Sequence, residues 1–256
     1  MFSNHLQSKQ RNRRRIMYIG FVLAIFCAFA AVGSGVGYRL GLWHFSIGFQ
    51  ILKWSVFLSG ATLVVLLVAM FFIQSKTRMD SFVGFVGLII CLVMVYVPYS
   101  WKKTLDAHPY IHDITTDTLN PPSFVAVGEL RTAEHHSIVY DGLEVAEQQK
   151  KAYPDLKTLF LDVQPASVLV EAIDVLLTMG LEIVSSDADS GRIEATATTL
   201  LFGFKDDVVV RIVENEAGGV SIDMRSKSRV GKSDLGQNAK RIRQFMENLT
   251  LRIAQG

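Results

Sequence analysis

Cysteine is nearly missing from this 256-residue chain. Cys27 and Cys91 are the only two, and both fall in long apolar stretches. Residues 104–256 therefore have no disulfide framework and no thiol nucleophile. Acids are scarce at the front, where residues 1–103 hold one against eleven Lys and Arg. There is no G-x-S-x-G elbow, and Ser226 and Ser228 have no base nearby in sequence, which argues against serine catalysis. The stretch S-R-V-G-K-S-D-L-G-Q-N-A carries glycines and hydroxyls without the order of a phosphate loop. It reads either as a helix N-terminus that holds an anion or as a strand-to-helix turn capped by Asp234.

What is abundant is apolar sequence before residue 101. Three stretches, about 16–38, 54–73 and 82–100, each approach the ~20 residues that cross a bilayer core as a helix. Their middles carry no charge; Arg39 and Lys53 sit at the borders, with Trp43, Trp54, Tyr96, Tyr99 and Trp101. Ala28-Phe29-Ala30 resembles a signal cleavage site, but the apolar run continues past it, so a retained anchor is expected. No span carries a buried Asp, Glu or His of the kind a transporter uses. Gly33, Gly37 and Gly41 recur every four residues, a spacing that serves packing among the three spans or self-association.

Basic residues set the expected orientation. Lys9, Arg11, Arg13, Arg14 and Arg15 precede span one, and Lys76 and Arg78 lie in the second loop. Arg39 and Lys53, with Lys102 and Lys103, lie on the other side and are fewer. The N-terminus is thus expected in the cytoplasm and residues 104–256 outside, in the periplasm of a bacterium with an inner membrane. That outer part has fifteen bases and twenty-three acids, which repels nucleic acid.

Three regions are expected: a membrane anchor at 1–103, an irregular segment at 104–160, and an α+β domain at 161–256. The irregular segment holds Pro109, Pro121, Pro122 and Pro154, with one helix near 142–152. Its apolar Ile111, Ile114, Phe124, Val125 and Val127 predict docking onto a scaffold. Beyond it, Pro165 opens and Gly180 closes a helix with Val168, Leu169, Ala172, Ile173, Leu176 and Leu177 as its buried stripe. Strands are predicted at 181–186, 192–199, 207–214 and 220–226. A helix over 235–253 follows, capped by Asp234 with Gln237 completing a capping box. Short turns imply an antiparallel four-stranded meander with both helices on one face, a two-layer α+β sandwich.

Strand alternation sorts the side chains. Ile193, Ala195, Ala197, Val208, Val210, Ile212, Ile222 and Met224 form the core face. Glu194, Thr196, Thr198, Val209, Arg211, Val213, Asp223 and Arg225 form the other. This ionic face is either solvated, as one face of an antiparallel sheet commonly is, or covered by the irregular segment. In the covered case Asp113 or Asp117 reaches Arg211, Arg225 or Arg229; otherwise the polar groups of 113–120 bond their own backbone. His108, His112, Asp113, His135 and His136 are the sole donor cluster, and Pro109 spoils its helical spacing, so no metal and no cofactor is expected.

Four blocks carry a resemblance: H-D-I-T-T-D-x-x-N-P-P at 112–122, Q-Q-K-K-A-Y-P-D at 148–155, I-E-A-T-A-T-T-L-L-F-G-F-K-D-D-V-V-V-R-I at 193–212, and R-S-x-S-R-V-G-x-S-D-L-G-x-N-A-x-R-I at 225–242. Over about 105–255 the chain resembles the domain-of-unknown-function family 1499, in a membrane-anchored form. The resemblance implies no activity, substrate or cofactor. It places His112, Asp113, Thr116, Asp117, Glu194, Asp207, Arg211, Arg225, Ser228, Arg229, Gly231, Asp234 and Asn238 in signature blocks. With Asp223 from the strand pattern, all of these but Gly231 and Asn238 make up the candidate polar site.

Two functions fit. The first is a non-catalytic envelope module that binds a protein or small ligand beside the lipid bilayer. The second is an envelope hydrolase using carboxylates such as Glu194 and Asp223, or Asp206-Asp207, with Arg211 or Arg225 as an anion clamp.

Overall fold

A computed structural model describes residues 2–72, 77–215 and 218–255. Ile73, Lys76, Glu216, Ala217 and Gly256, along with the side chains of residues 2–13 and Phe72, lie outside the described residues. The chain divides into two compact units: residues 1–103 with Leu200–Gly203, and Thr104–Thr199 with Phe204–Gly256.

The first unit is built from α1 (Phe2–Arg39), α2 (Phe45–Phe72) and α3 (Arg78–Ala107) as far as Lys103. Their apolar stretches, Arg14–Arg39, Phe45–Phe71 and Arg78–Ala107, are long and apolar enough to cross a membrane. At 1.5 Å rise per residue each exceeds the ~30 Å hydrocarbon core. Two expectations need correction. Lys53 is not a border residue, because α2 starts at Phe45 and carries Lys53 exposed within it. An acid is also buried: Asp80, in the first turn of α3, accepts from Arg14 Nε at 2.8 Å and from the Tyr18 hydroxyl at 3.0 Å.

The glycine spacing also resolves differently. Gly41 lies beyond the end of α1, at φ +70° in the turn to α2, so the three glycines do not share a helix face. Gly37 gives room to the Trp43 ring of that same turn. Close helix approach comes instead at Gly20, where a Cβ would stand 2.7 Å from Leu66. Met17, Ala24, Leu66, Ala69 and Cys91 fill the interior there.

The second unit holds a six-stranded sheet, not the four-stranded one expected. Its strands are β1 (Asp113–Thr115), β2 (Leu159–Leu161), β3 (Glu182–Asp187), β4 (Arg192–Thr198), β5 (Lys205–Glu214) and β6 (Val220–Ser228). The order is β1-β6-β5-β4-β3, and β2 also pairs with β6. All pairings are antiparallel. The two added strands have three residues each, too short for period-two alternation to reveal. They share the outer edge of β6, β1 opposite Arg225–Lys227 and β2 opposite Val220–Ile222.

One sheet face carries Ile114, Ile193, Ala195, Val208, Val210, Ile212, Ile222 and Met224. Helices α5 (Pro165–Thr178) and α6 (Gln237–Gln255) cover it with Val168, Ala172, Val175, Leu176, Ala239, Ile242, Phe245 and Leu249. Leu177, expected in the stripe, is exposed, and Val175 takes the inward place. Gly180, at φ +79°, ends α5; its N–H bonds Leu177 O, and Leu181 N–H bonds Leu176 O, the paired closure of a left-handed helix terminus. A third helix, α4 (Leu143–Ala152), follows Gly142 near its expected limits. The α6 start is a correction. Leu235 and Gly236 adopt left-handed conformations, so the helix begins at Gln237 and no capping box forms. Asp234 still caps it, accepting from Gly236 N and Asn238 N at 3.0 and 2.6 Å.

Candidate functional site

Register places the ionic side chains in rows on the face opposite the helices. Glu194 stands opposite Val209, then Arg225 and Thr115; Thr196 stands opposite Asp207, then Lys227 and Asp113; Arg192 stands opposite Arg211, then Asp223. This face is covered. Residues 116–141, including a 3₁₀ turn at Ala126–Leu130, supply polar partners to nearly every charge on it.

Asp113, in β1, meets Arg225 in a two-pronged contact, Nε and Nη2 each 2.8 Å from a carboxylate oxygen. Arg225 also donates to Pro122 O and Ile138 O, and the Phe124 and Tyr140 rings lie 4.8 and 5.3 Å from its guanidinium. Lys227 is fully buried, 3.1 Å from Asp113, and donates to Asp141 and Val139 O, each at 2.6 Å. Burial pushes the Tyr140 phenol up to about 12, with the Asp113 charge adding to it.

Asp207 is the second centre. Arg229 grips it through Nε and Nη2 at 2.9 and 2.8 Å, Arg131 Nε donates at 2.8 Å, and the Thr196 hydroxyl at 2.8 Å. Burial holds the Arg131 guanidinium below its ordinary value, with the Asp207 charge opposing. Its remaining prongs reach His136 O and Lys227 O, while Arg229 reaches Leu130 O. Asp206 adjoins Asp207 in sequence but points to the other face, where Arg241 holds it at 2.8 Å.

The two carboxylates expected as a hydrolytic pair are engaged separately. Glu194 accepts the backbone N–H groups of Val125, Ala126 and Val127 at 2.8–3.1 Å. Asp223 accepts the hydroxyls of Thr116 and Thr158, both at 2.7 Å, and Arg211 at 2.8 Å. It sits in the gap between β1 and β2, where these two threonines meet β6. Glu194 and Asp223 are two strands and one register row apart, which is more than about 10 Å between backbones. Arg211 bridges onward to Asp117 at 3.0 Å and Asn120 O at 2.9 Å. Asp117 also accepts from Leu119 N and Asn120 N, so it closes its own turn and pairs with the sheet.

Ser228 and Asp234 belong to a third group, at the start of α6. Asn238 donates to Ser228 Oγ and His112 O, and accepts from Ser226 Oγ. Burial raises the Asp234 carboxyl above its ordinary value, against the lowering effect of its cap hydrogen bonds. His112 stacks on His136 at 4.0 Å, and its Nε2 lies 3.4 Å from Asp141, an ion-pair distance without hydrogen-bond geometry. Burial first, then neighbouring His136, lowers the His112 pKa. His112 and His136 thus come together, whereas His108 meets Thr104 O and His135 accepts from Thr132 N. Among the described residues no three His, Cys, Asp or Glu side chains form a metal-holding group.

Around the sheet, Asp113, Asp117, Asp141, Glu194, Asp206, Asp207 and Asp223 engage Arg131, Arg192, Arg211, Arg225, Lys227, Arg229 and Arg241. Lys227, Arg131, Asp141 and Gln149 escape sequence reasoning. Lys227 continues the alternation of Asp223 and Arg225, but lies one residue past the expected strand end. Arg131 and Asp141 stand in irregular chain with no periodic signal. Gln149, on α4, bonds both Thr115 N and Thr115 O, which caps the edge of β1. Chemically, this arrangement clamps a folded segment onto a sheet with its charges matched.

No curated protein matches the chain. A family model described as "Protein of unknown function (DUF1499)" matches residues 113–249, from the first residue of β1 to the last turns of α6. The match spans both the sheet and the segment that clamps onto its ionic face, and the chain belongs to this DUF1499 family.

Proposed function

We propose that the protein is a multi-pass inner-membrane protein that presents residues 104–256 outside the cytoplasm as a non-catalytic binding or interaction module. The observation that carries this reading is the filled ionic face. Glu194, Asp207 and Asp223 spend their oxygens on fixed internal partners, which leaves recognition to the outer surface of the folded unit. Burying paired charges contributes little net stability, so such a joint serves to hold one defined surface. The orientation rests on the basic N-terminal tail, the second-loop bases and three apolar helices.

Two measurements test the proposal. An alkaline phosphatase fused after Gly256 is expected to be active, and an inactive fusion would overturn the outside placement. Full-length protein taken from native membranes in mild detergent is expected to carry a stoichiometric protein or small molecule in native mass spectrometry. Free chain alone, with a hydrolytic activity that Glu194→Gln or Asp223→Asn removes, would replace this reading with the envelope hydrolase.

A further inference from the structure

The loop between β4 and β5 is apolar at its tip, reading Leu200-Leu201-Phe202-Gly203, and these four residues belong to the first unit. Leu201 lies against Gly35 of α1, where a Cβ would stand 2.6 Å from Leu201 O. Phe202 lies against Gly48 of α2, at 3.0 Å by the same measure, and is buried. The Phe202 ring is 4.9 Å from Phe49 and 6.4 Å from Tyr38. Two missing side chains, one on each helix, thus form the seat of this tip.

The seat lies inside the spans. Gly35 precedes the end of the Arg14–Arg39 span by four residues, and Phe49 follows the start of Phe45–Phe71 by four. Four residues of helix are about 6 Å. Backbone at that depth must have its polar groups paired. Arg39 donates to Leu200 O at 2.8 Å, Thr199 N–H bonds Phe204 O, and Phe204 N–H bonds the Thr199 hydroxyl, both at 2.8 Å. Leu200 is left 91% exposed, the most exposed large apolar side chain among the described residues. Three crossings return the chain to the side where α1 ends and α2 begins, the side this loop must occupy.

We propose that the β4–β5 loop is a lipid-inserting tip: Leu200 enters the outer leaflet at acyl-chain level, beside the ends of α1 and α2, with Arg39 reaching toward the phosphates. This rests on the reading that the three helices span a bilayer, and the test separates the two. Nitroxide-labelled Leu200→Cys, Phe29→Cys and Asp189→Cys proteins are reconstituted in phosphatidylethanolamine–phosphatidylglycerol nanodiscs. The parent chain, whose Cys27 and Cys91 are buried, is treated identically as the blank. Phe29 is an exposed mid-span position, and Asp189 lies in the turn at the other end of β4. Collision with oxygen is expected to exceed collision with a water-soluble nickel chelate several-fold at Leu200 and Phe29, with the ratio reversed at Asp189. Leu200 behaving like Asp189 while Phe29 reports lipid would overturn the insertion alone. An aqueous Phe29 label would overturn the bilayer reading and the insertion together.

Discussion

Arg225 illustrates what a buried charge requires. Its guanidinium is 2% exposed and meets Asp113, two carbonyls and two aromatic rings. Arg225→Ala would strip Asp113 of its two-pronged partner and is expected to cost about 3–5 kcal/mol in chemical denaturation. Lys227 still lies 3.1 Å from Asp113, so the pairing is tested by coupling: Asp113→Asn should cost less on the Arg225→Ala background than in the parent chain, and an equal cost on both would refute the pairing account. His112 provides a pH dependence. Burial depresses its pKa in the fold, so unfolding takes up a proton once the pH drops below its ordinary value near 6.5. Its stabilising contribution is full above that value and is lost as pH falls through the folded pKa. His135, lowered in the same way, adds in the same direction. Denaturation between pH 8 and 5 should therefore show falling stability, with a shallower slope in His112→Gln.

Among the elements, one carboxylate ties the 3₁₀ turn of the covering segment to β4 and another caps α6. Glu194 ties three consecutive N–H groups of the segment to β4. Glu194→Gln keeps the shape but turns an amide N–H₂ toward those donors, with an expected loss of about 2–3 kcal/mol. Hydrogen exchange should speed at residues 125–127 while β5 stays protected; uniform speeding would instead indicate global loosening. At α6 the cap and the charge of Asp234 can be separated. Asp234→Ala should cost about 1 kcal/mol at neutral pH, whereas Asp234→Asn retains an acceptor and should stay within about 0.5 kcal/mol of the parent. The raised Asp234 pKa favours the fold below the ordinary value of 3.8, and this contribution is lost as pH rises through the folded pKa. Asp234→Asn should remove that part of the profile.

For the whole molecule, the net charge of +2 conceals a division between +10 over residues 1–103 and −8 over residues 104–256. The basic N-terminal tail is the asymmetry expected to set orientation. Replacing Lys9, Arg11, Arg13 and Arg15 with Gln, with Arg14 kept for its contact to Asp80, should lower the activity of a phosphatase fused after Gly256. Unchanged activity would show that other determinants fix the topology.

The sequence by itself determined the three apolar helices, the order of the longer strands, α4, α5 and α6, and the sorting of Ile193 from Glu194 onto opposite sheet faces. Those features are local: bilayer length, helical stripe and period-two alternation are written within single segments. It also named both partners of the Asp113–Arg225 and Asp117–Arg211 pairs without establishing that they meet. Tertiary structure decided whether the ionic face was open or filled, because cover is a relation between segments about a hundred residues apart, as between Asp113 and Arg225. It also decided the two edge strands, which at three residues have no period to read and exist only because β6 offers unpaired backbone. Buried Lys227, held by Asp113 and Asp141, is the sharpest case: it lies one residue past the expected strand end, and only the fold gives it two carboxylates and full burial.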